Sequence, residues 1–231
     1  MTSVQSSTEL SILVQLVTCL ISFNGLYLKL PLQHKILLDI LTLETIVQVI
    51  ELFFYIFFLR SLSSNSIDSM ATVRYFDWFI TTPTMLLTTI IYFKYEEYLY
   101  KNPNTNCKVF TFWEFVKENK KNIMKILICN FLMLLFGYLG ETGRIDIQIS
   151  LTFGFIFFGI SFHTIYNEYA VYSETGKNMF NFIFSIWSLY GVAALFDPIA
   201  KNHMFNTLDI FAKNFFGLYL YYKAKQLSID N

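Results

Sequence analysis

The chain contains seven long apolar segments, and each is long enough to cross a lipid bilayer as a helix. A spanning helix needs about 20 predominantly apolar residues. Only 15% of the 231 residues are charged, whereas a soluble domain normally has about a quarter. We therefore predict an all-α, multi-pass integral membrane protein in which residues 1–231 form one seven-transmembrane-helix domain. The predicted spans cover about 8–28, 35–59, 70–93, 122–140, 145–167, 178–197 and 204–224.

Polar or turn-rich segments separate the spans, including 61–68 and a longer break at 94–121. The longer break predicts a short surface helix around Phe110–Glu118. The N-terminus lacks a basic region followed by a small-residue cleavage site, so the first apolar segment is predicted to be a retained membrane helix.

The distribution of basic residues predicts the orientation of the bundle. Seven spans place the two termini on opposite sides of the membrane. If the C-terminus is cytoplasmic, the cytoplasmic segments contain eleven lysines and the outer segments three basic residues. Because cytoplasmic loops are enriched in Lys and Arg, we predict an extracellular N-terminus and a cytoplasmic C-terminus.

Composition also excludes several classes of function. A net charge of zero gives no electrostatic basis for binding nucleic acid. The three cysteines, Cys19, Cys107 and Cys129, are scattered, so neither a metal site nor a disulfide framework is predicted. We do not expect an enzyme, and the sequence leaves open assembly into a homo-oligomer.

Six ionisable residues lie well inside the predicted spans. An Asp, Lys or Arg at mid-bilayer costs at least ~2.5 kcal/mol on insertion scales, so such residues usually face the bundle interior and pair. Arg74 and Asp77 are three positions apart, and Asp209 and Lys213 are four apart, so each pair shares a helix face. One pair could simply set helix register, but two clusters on different helices favour a functional site. The remaining two residues are Glu44 and Glu51.

Lys213 is the most informative of the six because its surroundings, TLDIFAKNFFGLYLYY, are apolar. A lysine buried there can give up its proton and become a nucleophilic amine, which is the condition for forming an imine with an aldehyde. A protonated imine is a buried cation and needs carboxylate counterions. Asp209 lies one turn away, Asp77 can reach from another helix, and Thr81 could hydrogen-bond the Asp77 carboxylate.

Three sequence motifs resemble those of the microbial (type I) rhodopsins. RYFDWFITTPTML lies at 74–86 in the third span, WSLYG at 187–191 in the sixth, and LDIFAK at 208–213 in the seventh. Their order and their helices match the family. The resemblance implies a photoreceptor with all-trans retinal bound covalently, as a Schiff base on Lys213.

The resemblance also implies roles for individual residues. Asp77 corresponds to the primary counterion and proton acceptor, and Asp209 to the second counterion. Arg74 corresponds to the arginine that separates the site from the outer surface, and Thr81 supports the counterion. The retinal pocket is expected to include Trp78, Thr82, Met85, Trp187 and Tyr190.

Some positions depart from the family pattern. Gly191 and Ala194 replace the usual proline and tryptophan of the sixth span, which implies a looser ring pocket. The non-polar Met85 implies green rather than blue absorption. Thr88 occupies the position where efficient outward pumps have a carboxylic acid as proton donor. A threonine cannot donate a proton near neutral pH, so we expect slow reprotonation or a task other than pumping.

Polar stripes run along two otherwise apolar spans. In the second span, polar side chains recur at steps of four, three and four residues, at Glu44, Gln48, Glu51 and Tyr55. The first span repeats these steps at Ser11, Gln15, Thr18 and Ser22. The seventh span adds Asn206 and Asn214 near Lys213. These side chains could line a hydrated cation path, or they could form an interhelical hydrogen-bond seam that only holds the bundle together.

The second-span glutamates, the short termini and the asparagine directly after the retinal lysine resemble the viral rhodopsins of large algal viruses, in particular the light-gated cation channels. This resemblance implies a light-gated channel for monovalent cations, located in the host cell membrane if the chain is viral. The alternatives are a light-driven outward proton pump, a sensory rhodopsin that signals through a partner, and a seven-helix protein without retinal. We predict an ion path along Ser11, Glu44, Gln48, Glu51 and Asn214.

Overall fold

The computed structural model describes residues 2–62, 67–103 and 109–229, and all regular structure in these ranges is helical. Seven long rods make up the molecule. The seventh rod is continuous but changes its winding at a central π-helical turn, Ile210–Asn214. The helices are α1 (Thr2–Gly25), α2 (Ile36–Ser61), α3 (Ile67–Lys101), the short α4 (Phe112–Glu118), α5 (Lys120–Glu141), α6 (Ile147–Glu168), α7 (Glu174–Ala193), and α8 (Pro198–Asp209) with α9 (Phe215–Gln226) for the seventh rod.

The ends of several rods differ from the predicted spans; α1, for example, begins at Thr2 rather than near residue 8. Helix α3 continues to Lys101 instead of ending near residue 93. The seventh rod begins at Pro198, because the Asp197 carboxylate caps it by accepting hydrogen bonds from the backbone N–H groups of Ile199 and Ala200 at 3.0 and 3.1 Å. The predicted break at 61–68 lies partly, and Cys107 wholly, outside the described residues.

The outside of the bundle is apolar, as a lipid environment requires. Large hydrophobic side chains such as Leu20, Phe53 and Ile80 are more than half exposed. Among the described residues, α1, α2, α5 and α6 contain segments long and apolar enough to cross a membrane. Helix α3 and the seventh rod contain more charge, but their mid-rod charged residues are buried inside the bundle. The chain is therefore an integral membrane protein.

Sequential rods pack against one another, and the seventh rod closes the ring by contacting both α1 and α7. Helix α3 is central, since it contacts α2, α5 and α8. Buried polar side chains of α1, α2, α3 and the seventh rod lie on one side of this interior, and mostly apolar side chains of α3, α5, α6 and α7 lie on the other. We call the side of the bundle with the first residues of α1 and α8 the N-terminal side, and the opposite side the C-terminal side.

Candidate functional site

Lys213 lies in the π-helical turn with only 1% of its surface exposed. Its Nζ is 2.6 Å from Asp77 Oδ2, 3.6 Å from Glu51 Oε1 and 3.8 Å from Asp209 Oδ1. Irregular turns of this kind are frequent at functional sites. The sequence predicts Asp77 and Asp209 as partners of Lys213, and it predicts Glu51 only as part of an ion path. The structure brings all three carboxylates to one amine.

The Asp209 carboxylate is held by three donors and is itself completely buried. Tyr55 and Tyr190 each donate a phenolic hydrogen bond to it at 2.7 Å. The Arg74 Nη1 group lies 3.1 Å from Asp209 Oδ2. Because Asp209 has these partners, Asp77 is the carboxylate that is most closely paired with Lys213.

Arg74 closes the interior on the N-terminal side of this ion cluster. Besides Asp209, its guanidinium donates to the side-chain oxygens of Asn206 and, at 3.4 Å, Asn202. Asn206 in turn donates to Ser7 and Thr8 of α1 at 2.8 and 3.2 Å. Arg74 therefore lies between the ion cluster and the N-terminal side, and the role that the resemblance implies for it stays a prediction.

Thr81 contacts Asp77 differently from our expectation. Its hydroxyl donates to the backbone carbonyl oxygen of Asp77 at 2.9 Å rather than to the carboxylate. This bond to the residue four positions earlier is the usual local choice of a threonine inside a helix. Asp77 Oδ1 has no hydrogen-bond partner among the described residues.

A cavity lined by Lys213 lies between α3, α5, α6, α7 and the seventh rod. All five residues predicted for a retinal pocket line it, namely Trp78, Thr82, Met85, Trp187 and Tyr190. The wall from α6 was not predicted; Gly154, Phe155 and Phe158 supply it. Phe155 and Phe158 share a helix face, but in a chain with 26 phenylalanines that spacing is no distinctive signal.

Gly191 does not leave the cavity as loose as the sequence suggested. A Cβ atom added at Gly191 would lie 2.4 Å from the ring of Phe155. The space left by the missing side chain of Gly191 on α7 is therefore filled by the Phe155 ring of α6, and the two helices approach closely at this point.

On the other side of Lys213, buried polar side chains form a column between α1, α2 and the seventh rod. We define the polar column as the residues Ser11, Gln15, Thr18, Ser22, Glu44, Gln48, Glu51 and Asn214. Each is at most 4% exposed. Thr18 donates to Asn214 Oδ1 at 2.5 Å, and Ser11 donates to the backbone carbonyl oxygen of Asn206 at 3.3 Å.

Many side-chain polar atoms of the polar column have no direct hydrogen-bond partner among the described residues. Both side-chain polar atoms of Gln15 and Gln48, the Ser22 hydroxyl, Glu44 Oε2 and Asn214 Nδ2 have none among the described residues. An unsatisfied buried polar atom costs about 1–3 kcal/mol, so such groups are normally satisfied by water or a ligand. The column is therefore suited to holding water or ions.

Glu44 lies beside Thr88, the position where the sequence lacks a proton donor. The Thr88 hydroxyl donates a hydrogen bond to Glu44 Oε1. A carboxyl group from α2 thus reaches the place where an outward pump would have one on α3. Sequence reasoning missed this contact because it depends on the rotation of two helices.

The polar column ends before it reaches the C-terminal side. Leu37, Ile40, Leu41 and Leu220 are fully buried there and form an apolar layer beyond Glu44. Outside this layer, Lys223 pairs with Glu96 and donates to Tyr92 at 3.0 Å. In the state described, the column is closed by Arg74 at one end and by apolar packing at the other.

Comparison with known proteins agrees with this architecture. Residues 6–227 match the model of the family described as bacteriorhodopsin-like protein. The structure resembles that of the viral rhodopsin OLPVRII, with 29% identity, a TM-score of 0.81, and coverage of 97% of this chain and 99% of the other. No curated protein matches the sequence.

Two further solved structures show the same fold at lower identity. The blue light-absorbing proteorhodopsin from Med12 has 19% identity and a TM-score of 0.73, with 97% of each chain covered. Exiguobacterium sibiricum rhodopsin has 18% identity and a TM-score of 0.73, with 98% of this chain and 97% of the other covered.

Proposed function

Because the chain belongs to the bacteriorhodopsin-like protein family, whose members bind retinal, we propose that it binds all-trans retinal covalently and acts as a light-gated channel for monovalent cations. Family members lie in lipid bilayers and transport ions or protons. The observation that supports a channel in particular is the polar column, in which unpartnered polar side chains lie buried next to Lys213.

The cavity beside Lys213 fits a long apolar ligand that has one reactive end. Its walls are mostly aromatic and aliphatic, and Lys213 is the basic side chain among the residues that line it. Lys213 Nζ would hold the aldehyde carbon of retinal, and Trp78 and Trp187 would lie along the ligand. Retinal, when bound, supplies the absorption of visible light and an isomerisation that the side chains themselves cannot provide.

The carboxylates around Lys213 provide the charge balance that a buried cation needs. Asp77 Oδ2 lies 2.6 Å from Nζ and is the group placed to accept a proton from it. Such a transfer would neutralise both partners and remove the ion pair between α3 and the seventh rod. Since that pair contributes to the closed arrangement, its loss would shift the equilibrium towards other helix arrangements.

The polar column is the path that such a rearrangement would open. It runs along α1, α2 and the seventh rod, and its carboxylates, Glu44 and Glu51, favour cations. Opening requires Arg74 to move at one end and the apolar layer of Leu37, Ile40 and Leu220 to separate at the other. The charge distribution of the loops supports an extracellular N-terminus, so Arg74 would face the outside.

The contact between Glu44 and Thr88 favours a second candidate, a light-driven outward proton pump. In that function Asp77 accepts the proton and Glu44 returns one from the C-terminal side, replacing the donor that position 88 lacks. The two functions use the same Lys213 and Asp77, but they differ in whether ions follow or oppose their gradient.

Photocurrents at several membrane voltages distinguish the two candidates. The full chain is expressed in cells supplied with all-trans retinal, and the current is recorded under light. A current that reverses near the cation equilibrium potential supports the channel, and one that stays outward at all voltages supports the pump. A pigmented protein without any photocurrent would contradict both.

Matched variants then test the path itself. Glu44→Gln and Glu51→Gln should change conductance or selectivity, because each removes a buried carboxylate from the column. Glu9→Gln alters an exposed carboxylate near the start of α1 and is the control. Unchanged transport in both column variants would show that the path is wrongly assigned.

A further inference from the structure

Side chains from α1 and α2 lie against Gly217 of α9. A Cβ atom added to this glycine would lie 2.2 Å from Gln48 Nε2 and 3.4 Å from Ser22 Oγ. No real Cβ atom approaches a neighbour as closely as the first distance. The hydrogen at Gly217 is therefore what allows the Gln48 amide to occupy the centre of the polar column at this level.

The groups that meet at Gly217 are fully buried and have no direct partners. Gln48 and Ser22 each show 0% exposure. Neither polar atom of the Gln48 amide nor the Ser22 hydroxyl has a hydrogen-bond partner in the described part of the chain. Glu44 lies one helical turn from Gln48 on the same face, and its Oε2 also has no hydrogen-bond partner among the described residues.

We propose that Gln48 and Ser22, which lie against Gly217, form together with Glu44 a binding site for a partly dehydrated monovalent cation in the path; this site rests on the proposed channel function. Amide, hydroxyl and carboxylate oxygens are ligands that replace the water around hard cations. Gln48 Oε1, Ser22 Oγ and Glu44 Oε2 supply one of each type.

The charge of the site favours a monovalent over a divalent cation. Glu44 is its single carboxylate, whereas Ca²⁺ usually takes six to eight oxygen ligands with several carboxylates among them. Glu51, the other glutamate of the column, lies 3.6 Å from Lys213 Nζ and is paired with the Lys213 ammonium group. The single negative charge of Glu44 therefore balances one positive charge in the site.

Gly217 sets the size of the site through the Gln48 side chain. In Gly217→Ala the new methyl group overlaps only the far end of the flexible Gln48 side chain, so the chain can fold with the amide turned aside. The variant removes no polar group. It changes only where the amide lies and how much space a cation has.

The test compares photocurrents of the full chain in external Na⁺, K⁺ and Cs⁺, each normalised to the visible absorbance of the same cells. In Gly217→Ala we expect the current to fall about fivefold, the effect of one lost polar contact, with Cs⁺ affected most because it is the largest. Gly217 does not line the cavity at Lys213, so the colour should stay that of the wild type.

Gly159→Ala is the matched control, because Gly159 lies on an exposed face of α6 and a Cβ there meets nothing within 4 Å. Gln48→Asn is the second test, since it keeps the amide but withdraws it without adding volume at Gly217. It should alter the relative permeabilities of the three cations.

Three results would overturn the cation site. One is a Gly217→Ala protein with wild-type currents and reversal potentials. Another is an equal loss for all three cations in both variants, which would mean that the amide serves only helix packing. A wild-type protein whose light-driven current never reverses would refute the channel itself, and that result is distinguishable because it appears before any substitution is made.

Discussion

Replacing Arg74 by glutamine should destabilise the protein strongly, because Arg74 holds together three rods from the inside. The guanidinium is fully buried and lies 3.1 Å from Asp209 and 3.0 Å from the Tyr55 hydroxyl. It also donates to Asn202 and Asn206. A glutamine amide has no charge and fewer donors, so Asp209 would remain as a buried carboxylate with only the two tyrosine hydroxyls as donors.

The size of the effect follows from these contacts. Removing one partner of a buried ion pair costs about 3–5 kcal/mol, and Lys213, 3.8 Å from Asp209 and closer to Asp77, compensates only part of the Asp209 charge. For a chain of this length each kcal/mol lowers Tm by about 2–4 °C, so the midpoint should fall by roughly 10 °C. Arg74→Lys should fall in between, because an ammonium keeps the charge but cannot reproduce the planar arrangement of donors.

The assay is the loss of visible absorbance on heating the retinal-loaded protein in detergent. Arg144→Gln is the control, since Arg144 is exposed and its loss should leave the midpoint nearly unchanged. If Arg74→Gln melts at the same temperature as the control, Arg74 does not stabilise the closed interior as its contacts suggest.

Two further substitutions test the surroundings of Lys213. Asp77→Asn removes the carboxylate 2.6 Å from Lys213 Nζ. The positive charge on Nζ then loses its closest counterion in the ground state, so the absorption maximum should move to longer wavelength. An unchanged spectrum would mean that Asp77 is not the main counterion. Gly191→Ala inserts a methyl group 2.4 Å from the Phe155 ring, so titration with all-trans retinal should show slower or incomplete pigment formation. The control Gly159→Ala should bind retinal like the wild type. Equal retinal binding by both variants would contradict the close packing of α6 and α7.

The sequence was sufficient for those features that depend on one helix or one motif. The seven apolar segments predicted the bundle, and the spacing of Asp209 and Lys213 placed both on one face of the seventh rod. The motif at 74–86 placed Asp77 and Trp78 on α3. In each case local periodicity determines the relation between the residues, so no knowledge of helix packing is needed.

Features that depend on how two helices are rotated against each other could not be predicted. Glu51 approaches Lys213 to 3.6 Å, although its stripe on α2 suggested only a path residue. Glu44 accepts a hydrogen bond from Thr88, although sequence spacing alone indicates only that position 88 lacks a proton donor. The π-helical turn at Ile210–Asn214 also has no local signal, because nothing in IFAKN disfavours an ordinary α-helix.

The proposed function depends on the covalent attachment of retinal to Lys213, which visible absorbance can detect. Purified wild-type protein and the Lys213→Ala variant are each incubated with all-trans retinal, denatured in acid to trap any bound chromophore, and compared by visible absorbance. We expect a protein-bound band in the wild type and none in Lys213→Ala. A colourless wild type, or a variant that retains the band, would contradict the account.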